Sequence, residues 1–274
     1  MNSGQFAVPS KGGVAISVEK SGSGPALLLV HGSMVDGSVT WAAVRPALEQ
    51  HFTTYVLDRR GRGNSGDAAG YALSDEVADL VAVLKAIREP LTLLAHSYGA
   101  VVTLAALDQI ANVSRLILYE PPVFEKPRSP ETDRIANDME RALQAGEREQ
   151  VPLIFQRDQI GAPPEVVAAF RSSPRWAKAV EVAHTLPREA RVVNTFRLPV
   201  ESLAGCTIPT TMLLGSASST EMREGTLWVC NSIPGCRTVI LEGQGHSAMR
   251  SAPDQFVSAV LEIAGTAASS ITAR

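Results

Sequence analysis

Leu91-Thr92-Leu93-Leu94-Ala95-His96-Ser97-Tyr98-Gly99-Ala100-Val101-Val102 carries an apolar run of strand length into a serine and on into a helix-forming stretch. Ala95 and Gly99 stand two residues either side of that serine. Small residues are needed there, because a serine on a tight strand-to-helix turn has a strained backbone that leaves no room for large neighbours. The turn lifts the Ser97 hydroxyl clear of the sheet. It also leaves the Tyr98 N–H at the start of a helix, where unpaired amides and the helix dipole favour developing negative charge. The pattern of a small residue, any residue, Ser, any residue and Gly is loose by itself; the flanking strand and helix give it weight over a serine that merely caps a helix.

Outward from this turn, short apolar runs recur at residues 14–18, 26–30, 53–57, 115–119, 210–214 and 237–241, each of strand length. The gaps hold helical patterns. The clearest spans 74–88, where Val77, Leu80, Val81, Leu84 and Ile87 share a face, Ser74 is placed to cap, Asp75 and Glu76 open the first turn and Pro90 follows the end. Strands that are apolar throughout and alternate with helices imply a mostly parallel sheet covered on both faces. The alternation breaks once. Between Pro121 and Gly205 there is no strong strand run, only charged, proline-punctuated helical windows at 131–144 and 165–171. This reads as a helical insertion over the edge where open α/β sheets bind ligands, outside the carboxyl ends of the strands.

Two further strand ends carry chemistry. Leu28-Leu29-Val30-His31-Gly32-Ser33-Met34 ends an apolar strand in a glycine turn. A backbone N–H from this turn, at Ser33, would join that of Tyr98 as a pair of donors to a tetrahedral oxyanion, with Gly32 permitting close approach. Val239-Ile240-Leu241-Glu242-Gly243-Gln244-Gly245-His246-Ser247 ends a late strand in a glycine-flanked histidine. A serine nucleophile needs a base within hydrogen-bond reach, and a histidine at one strand's carboxyl end can reach another's, so His246 is the candidate base. His31 and His96 lie inside the two turns and read as packing groups, His51 precedes a strand, and His184 lies in the insertion.

At roughly 150 residues per domain, 274 residues allow one large domain or one domain with a sizeable insertion. The 45% hydrophobic and 19% charged composition excludes disordered and fibrous classes. A net charge of -3 with scattered Lys and Arg argues against nucleic acid as a partner. No apolar run approaches a membrane span, and residues 1–11 lack the charged-then-apolar order of a secretory signal, so the expectation is a cytoplasmic protein with no membrane partner. Cys206, Cys230 and Cys236 read as reduced structural thiols; no metal pair and no organic cofactor is implied. Oligomeric state is not readable.

On the strand before His31-Gly32, the stretch Asp58-Arg59-Arg60-Gly61-Arg62-Gly63-Asn64-Ser65, the elbow at Ser97 and the late His246, the chain resembles the α/β-hydrolase fold superfamily over nearly its whole length. The resemblance implies an eight-stranded, mostly parallel sheet flanked by helices, with the 14–18 run antiparallel, a helical lid after the sixth strand and a Ser-acid-His triad. It gives the Asp58 loop a structural role. The domain division that follows is a core of 1–121 with 205–274 and a lid of 122–204.

The departure is at the acid. That superfamily commonly has Asp just after the seventh strand, where this chain has Gly215-Ser216-Ala217-Ser218-Ser219-Thr220, and no carboxylate occurs until Glu221. Glu120, ending the sixth strand in Leu116-Ile117-Leu118-Tyr119-Glu120-Pro121-Pro122, is the preferred acid, with Glu221 the rival. A minority of the superfamily, including the fungal zearalenone lactonases, is similar in using Glu at this point. A carboxylate there orients the imidazole and stabilises its protonated form. Met34 and Tyr98, beside the turns, and Trp176, near Phe170 in the insertion, are candidates for the pocket wall. The activity implied is a serine hydrolase acting on a small carboxylic ester or lactone through an acyl-enzyme. A serine at the elbow argues against epoxide hydrolases and haloalkane dehalogenases, which need a carboxylate there. A non-hydrolytic enzyme using His246 as base and a receptor-like ligand binder are the alternatives.

Overall fold

A strand whose every side chain is apolar can be stable only with both faces covered, and Ala26–Val30 and Thr210–Gly215 are buried at every position. The computed structural model describes residues 4–125 and 131–265; residues 1–3, 126–130 and 266–274 of the expected domain blocks lie outside the described residues. Strands β1 (Gly4–Pro9), β2 (Ala15–Gly22), β3 (Ala26–Val30), β4 (Thr53–Leu57), β5 (Leu91–His96), β6 (Val113–Tyr119), β7 (Thr210–Gly215) and β8 (Arg237–Leu241) form one sheet in the order β1-β2-β4-β3-β5-β6-β7-β8. β2 runs antiparallel to both β1 and β4, and every other neighbouring pair is parallel.

The sheet is therefore the mostly parallel, eight-stranded one expected, and the run at 14–18 does belong to the antiparallel strand. β1 was not signalled by any apolar run. It is an edge strand with Val8 its one buried residue, held by register against β2 rather than by burial of its own side chains.

Helices α1 (Gly37–Trp41) and α2 (Arg45–Leu48) follow β3, α3 (Leu73–Ala86) follows β4, and α4 (Tyr98–Ala105) follows β5. Val77, Leu80, Val101 and Leu104 of α3 and α4 cover one face of the sheet. Ser74 is not the cap of α3. The helix starts one residue earlier, and the Asp75 carboxylate reaches back to accept the Ala72 N–H at 2.8 Å, doing the work expected of the serine. Between β6 and β7 lie α5 (Glu131–Gln144), α6 (Gln150–Ile154), α7 (Pro164–Arg171), α8 (Trp176–Glu181), α9 (Leu186–Thr195) and α10 (Val200–Ala204), with no strand among the described residues. Residues of α5 to α9 form a cluster of their own that includes Met139, Phe170 and Leu186 with Phe155, and Met34 from the β3 turn joins it, while Leu203 of α10 packs into the cluster beneath α3 and α4.

α11 (Thr220–Asn231) joins β7 to β8, and α12 (Ala248–Ser251) and α13 (Pro253–Ala264) follow β8. Phe256 and Val260 of α13, with Trp41, cover the second face. Among the described residues no helix is long and apolar enough to cross a membrane. The parallel register leaves the carboxyl ends of β3, β5, β6, β7 and β8 side by side along one edge, with Val30 opposite Ala95, His96 opposite Tyr119, Tyr119 opposite Leu213 and Gly215 opposite Leu241.

Candidate active site

Ser97 sits between β5 and α4 with φ 54° and ψ -122°. A non-glycine residue in this region is strained unless its surroundings hold it there. Its N–H donates to the Tyr119 carbonyl at 2.9 Å, which ties the turn to β6. The small neighbours have a specific cause. A Cβ on Gly99 would stand 2.5 Å from the His31 carbonyl oxygen, and one on Gly32 would stand 2.8 Å from the Ser97 Cβ, so the two turns touch backbone to backbone. The other described non-glycine residues with positive φ are Met34 (φ 76°) and Glu120 (φ 46°), so backbone strain is concentrated at this edge of the sheet.

Glu120, at the end of β6, is fully buried. Its Oε2 accepts the His246 Nδ1–H at 2.7 Å, while its Oε1 accepts the Gly215 N–H at 2.8 Å and the Ser218 hydroxyl at 2.6 Å. The acid-free turn after β7 thus supplies hydrogen-bond donors to a carboxylate that comes from β6 instead. With Nδ1 donating to a carboxylate, the neutral imidazole of His246 keeps Nε2 as its acceptor. Glu221, in the first turn of α11, lines the same cavity, but the Nδ1 bond of His246 goes to Glu120.

The loop that carries His246 is braced by Tyr119 and by His96, a histidine expected only to pack. The Tyr119 hydroxyl donates to the Gly245 carbonyl and accepts the Ala248 N–H at 3.1 Å. His96 Nε2 donates to the His246 carbonyl at 2.8 Å, and its ring stands 4.6 Å from that of His246. Burial, then the nearby His246, hold the pKa of His96 well below the ordinary imidazole value, so it serves as a neutral donor. His31 is likewise depressed, by burial first and then by the charges of Arg59 and Arg62. Its Nδ1 donates to the Gly32 carbonyl at 2.8 Å, and its Nε2 accepts the Arg59 N–H at 3.1 Å.

Ser97, His246, Ser33 and Met34 share a cavity of about 610 Å³ with Phe155 and Phe170 from the inserted helices. Among the described residues no hydrogen bond joins Ser97 Oγ to His246. The Tyr98 N–H opens α4 and has no carbonyl within the helix to bond. The Tyr98 side chain, however, is no pocket wall. It is fully buried, its hydroxyl 2.5 Å from that of Tyr71 and its ring 4.4 Å from the Arg59 guanidinium, so only its amide faces the reacting edge. Met34 does line the cavity and receives the Gln156 side-chain N–H on its sulfur at 3.2 Å. Trp176 does not line it. It packs edge-on behind Phe170, centroids 5.9 Å apart, and Phe170 is the member of the pair that faces the space.

Sequence reading missed a buried charge cluster that reaches the cavity through Glu189. Arg59 donates through Nε and Nη2 to Glu76 at 2.6 and 2.7 Å, through Nη1 to the Gly32 carbonyl at 3.0 Å, and also to Glu189 of α9. Arg62 Nη2 lies 2.7 Å from the same Glu189 carboxylate. Burial would raise the Glu189 pKa, but the two guanidinium charges outweigh it and, with hydrogen bonds from Arg59 and the Ser33 side chain, hold it below the usual carboxylate value. The Asp58 loop is thus tied to both halves of the Gly32-Ser33 turn. No periodicity in α9 singles out Glu189, and only the arginine-rich loop hinted at a carboxylate partner. Among the described residues no group of three or more His, Cys, Asp or Glu is arranged to hold a metal ion.

The arrangement has matches among known proteins. A family model described as "Alpha/beta hydrolase family" matches residues 27–259. The crystal structure of an alpha/beta hydrolase from Sphaerobacter thermophilus superposes with a TM-score of 0.83 at 33% identity, covering 94% of this chain and 99% of that one. The pimeloyl-[acyl-carrier protein] methyl ester esterase of Aeromonas hydrophila is 26% identical over 259 residues, 92% of this chain and 100% of its own. The N-formylmaleamate deformylase of Pseudomonas putida is 41% identical over 106 residues, 37% of this chain and 39% of its own.

Proposed function

The chain belongs to the alpha/beta hydrolase family, and on that premise we propose that it is a serine hydrolase that cleaves a small carboxylic ester or lactone through an acyl-enzyme. The observation that carries this reading is the hydrogen-bonded pair of His246 and buried Glu120 sharing one cavity with a serine on a strained strand-to-helix turn. An ester hydrolase with likeness along nearly the whole chain supports it.

In this reading Ser97 Oγ attacks the carbonyl carbon as His246 Nε2 takes its proton, and the Ser33 and Tyr98 amides receive the oxyanion. Collapse of the tetrahedral intermediate breaks the C–O bond, the imidazolium returns the proton to the leaving alkoxide, and water, activated by the same imidazole, releases the acid. Glu120 keeps Nδ1 protonated and stabilises the imidazolium. Residues 1–121 and 205–274 form the catalytic core, and the helices of 122–204 form a lid whose Phe155 and Phe170 shape the apolar side of the substrate.

Ser97→Ala removes p-nitrophenyl ester turnover, with the circular dichroism spectrum unchanged. Turnover undiminished in that variant refutes the nucleophile.

A further inference from the structure

Two guanidinium groups, those of Arg175 and Arg250, line the cavity. Arg250 comes from α12, four residues after His246, and is exposed where it lines the cavity. Arg175 immediately precedes α8 and lies with its guanidinium 4.9 Å from the ring centroid of Phe170, a stacking that fixes its plane. Neither forms a salt bridge with any described carboxylate, whereas Arg59, Arg60 and Arg62 each do. Burial, and then the like charge of Arg250, push the Arg175 pKa down to about 10.

Of the described carboxylates near the cavity, Glu189 is held by Arg59 and Arg62, Glu120 is buried and bonded to His246, and Glu221 lines the cavity from α11. A pair of planar, fork-shaped donors lining the cavity that also holds Ser97 matches an incoming planar anion.

We propose that Arg175 and Arg250 bind a free carboxylate of the substrate, so that the preferred ester or lactone bears a second, unesterified acid group. The proposal rests on the reading of Ser97 as nucleophile in the same cavity. It makes the two arginines specificity determinants: the anion docks between them, and the ester carbonyl is delivered to Ser97.

The test compares mono-p-nitrophenyl glutarate with p-nitrophenyl pentanoate, which has a methyl group where the first has its carboxylate. Wild type is expected to favour the acid ester in kcat/KM by about 100-fold, a preference that weakens with added salt. In Arg175→Met with Arg250→Met the acid-to-neutral ratio falls to near one, and Arg175→Lys with Arg250→Lys keeps an intermediate ratio. A wild-type ratio of one or less overturns the proposal without recourse to any variant, as does a ratio unaltered in the double methionine variant. Failure of the underlying reading looks different: neither ester is then turned over in a Ser97-dependent way.

Discussion

Glu120 and Glu189 are both fully buried carboxylates beside the same cavity, but their partners differ in kind. Glu120 receives a backbone amide, a hydroxyl and an imidazole, whereas Glu189 is held by two guanidinium groups and a hydroxyl. A carboxylate among neutral donors retains its attraction for a cation that arises only when His246 takes a proton. One already facing permanent cations has no such reserve, and its removal is felt instead as two arginines with too little counter-charge. The same residue type, equally buried, is thereby suited to turnover in one place and to architecture in the other.

The largest effect expected from this contrast is on kcat. Glu120→Gln lowers kcat by about 10³- to 10⁴-fold, because an amide no longer enforces the Nδ1–H tautomer or stabilises the imidazolium. A loss under tenfold in steady-state kinetics on a p-nitrophenyl ester breaks the comparison on the Glu120 side. Glu189→Gln acts on stability, costing about 3–5 kcal/mol as Arg59 and Arg62 lose their shared carboxylate in a buried setting. Urea titration followed by fluorescence measures it, and an unchanged midpoint would mean that the cluster is not what holds the Gly32-Ser33 turn.

A smaller effect concerns pH. His31 and His96 have folded-state pKa values well below the ordinary value, so in acid the unfolded chain binds protons that the folded chain does not. The stability they confer is present above about pH 6.5 and falls as pH drops below it, by up to about 1.4 kcal/mol per pH unit for each histidine. His96→Gln should flatten that slope in denaturation experiments between pH 7 and 5; an identical slope contradicts the assignment. The smallest change is expected for Glu221→Gln, with kcat within a few-fold of wild type. A collapse of kcat there, with Glu120→Gln nearly silent, transfers the acid's role to α11.

The same contrast explains what could be read from the chain. The central strands β3, β5, β6 and β7 announce themselves as apolar runs, because burial on both faces demands apolar residues at successive positions, while the edge strand β8 carries such a run with only Leu241 buried. β1 is recruited by the free edge of β2 and needs no such pattern. Ser97, Glu120 and His246 were legible because the first two directly follow β5 and β6 and the third lies on the loop after β8, and the ends of parallel strands meet along one edge whatever their separation in sequence. Glu189 and the arginines at 175 and 250 lie on helices or turns, where a charged residue has the same signature whether it faces solvent or a cavity. Trp176 shows the limit from the other side: size and apolarity marked the right helical pair, but which of the two rings faces the space is fixed by tertiary packing.

The central claim is that Ser97 is a nucleophile activated by a histidine oriented by Glu120. Incubation with a fluorophosphonate probe, followed by peptide mass spectrometry, tests it most directly. A single covalent adduct on the peptide bearing Ser97, absent in Ser97→Ala and formed far more slowly in Glu120→Gln, is the predicted result. No adduct at high probe concentration, or an adduct on another residue that persists in Ser97→Ala, would contradict it.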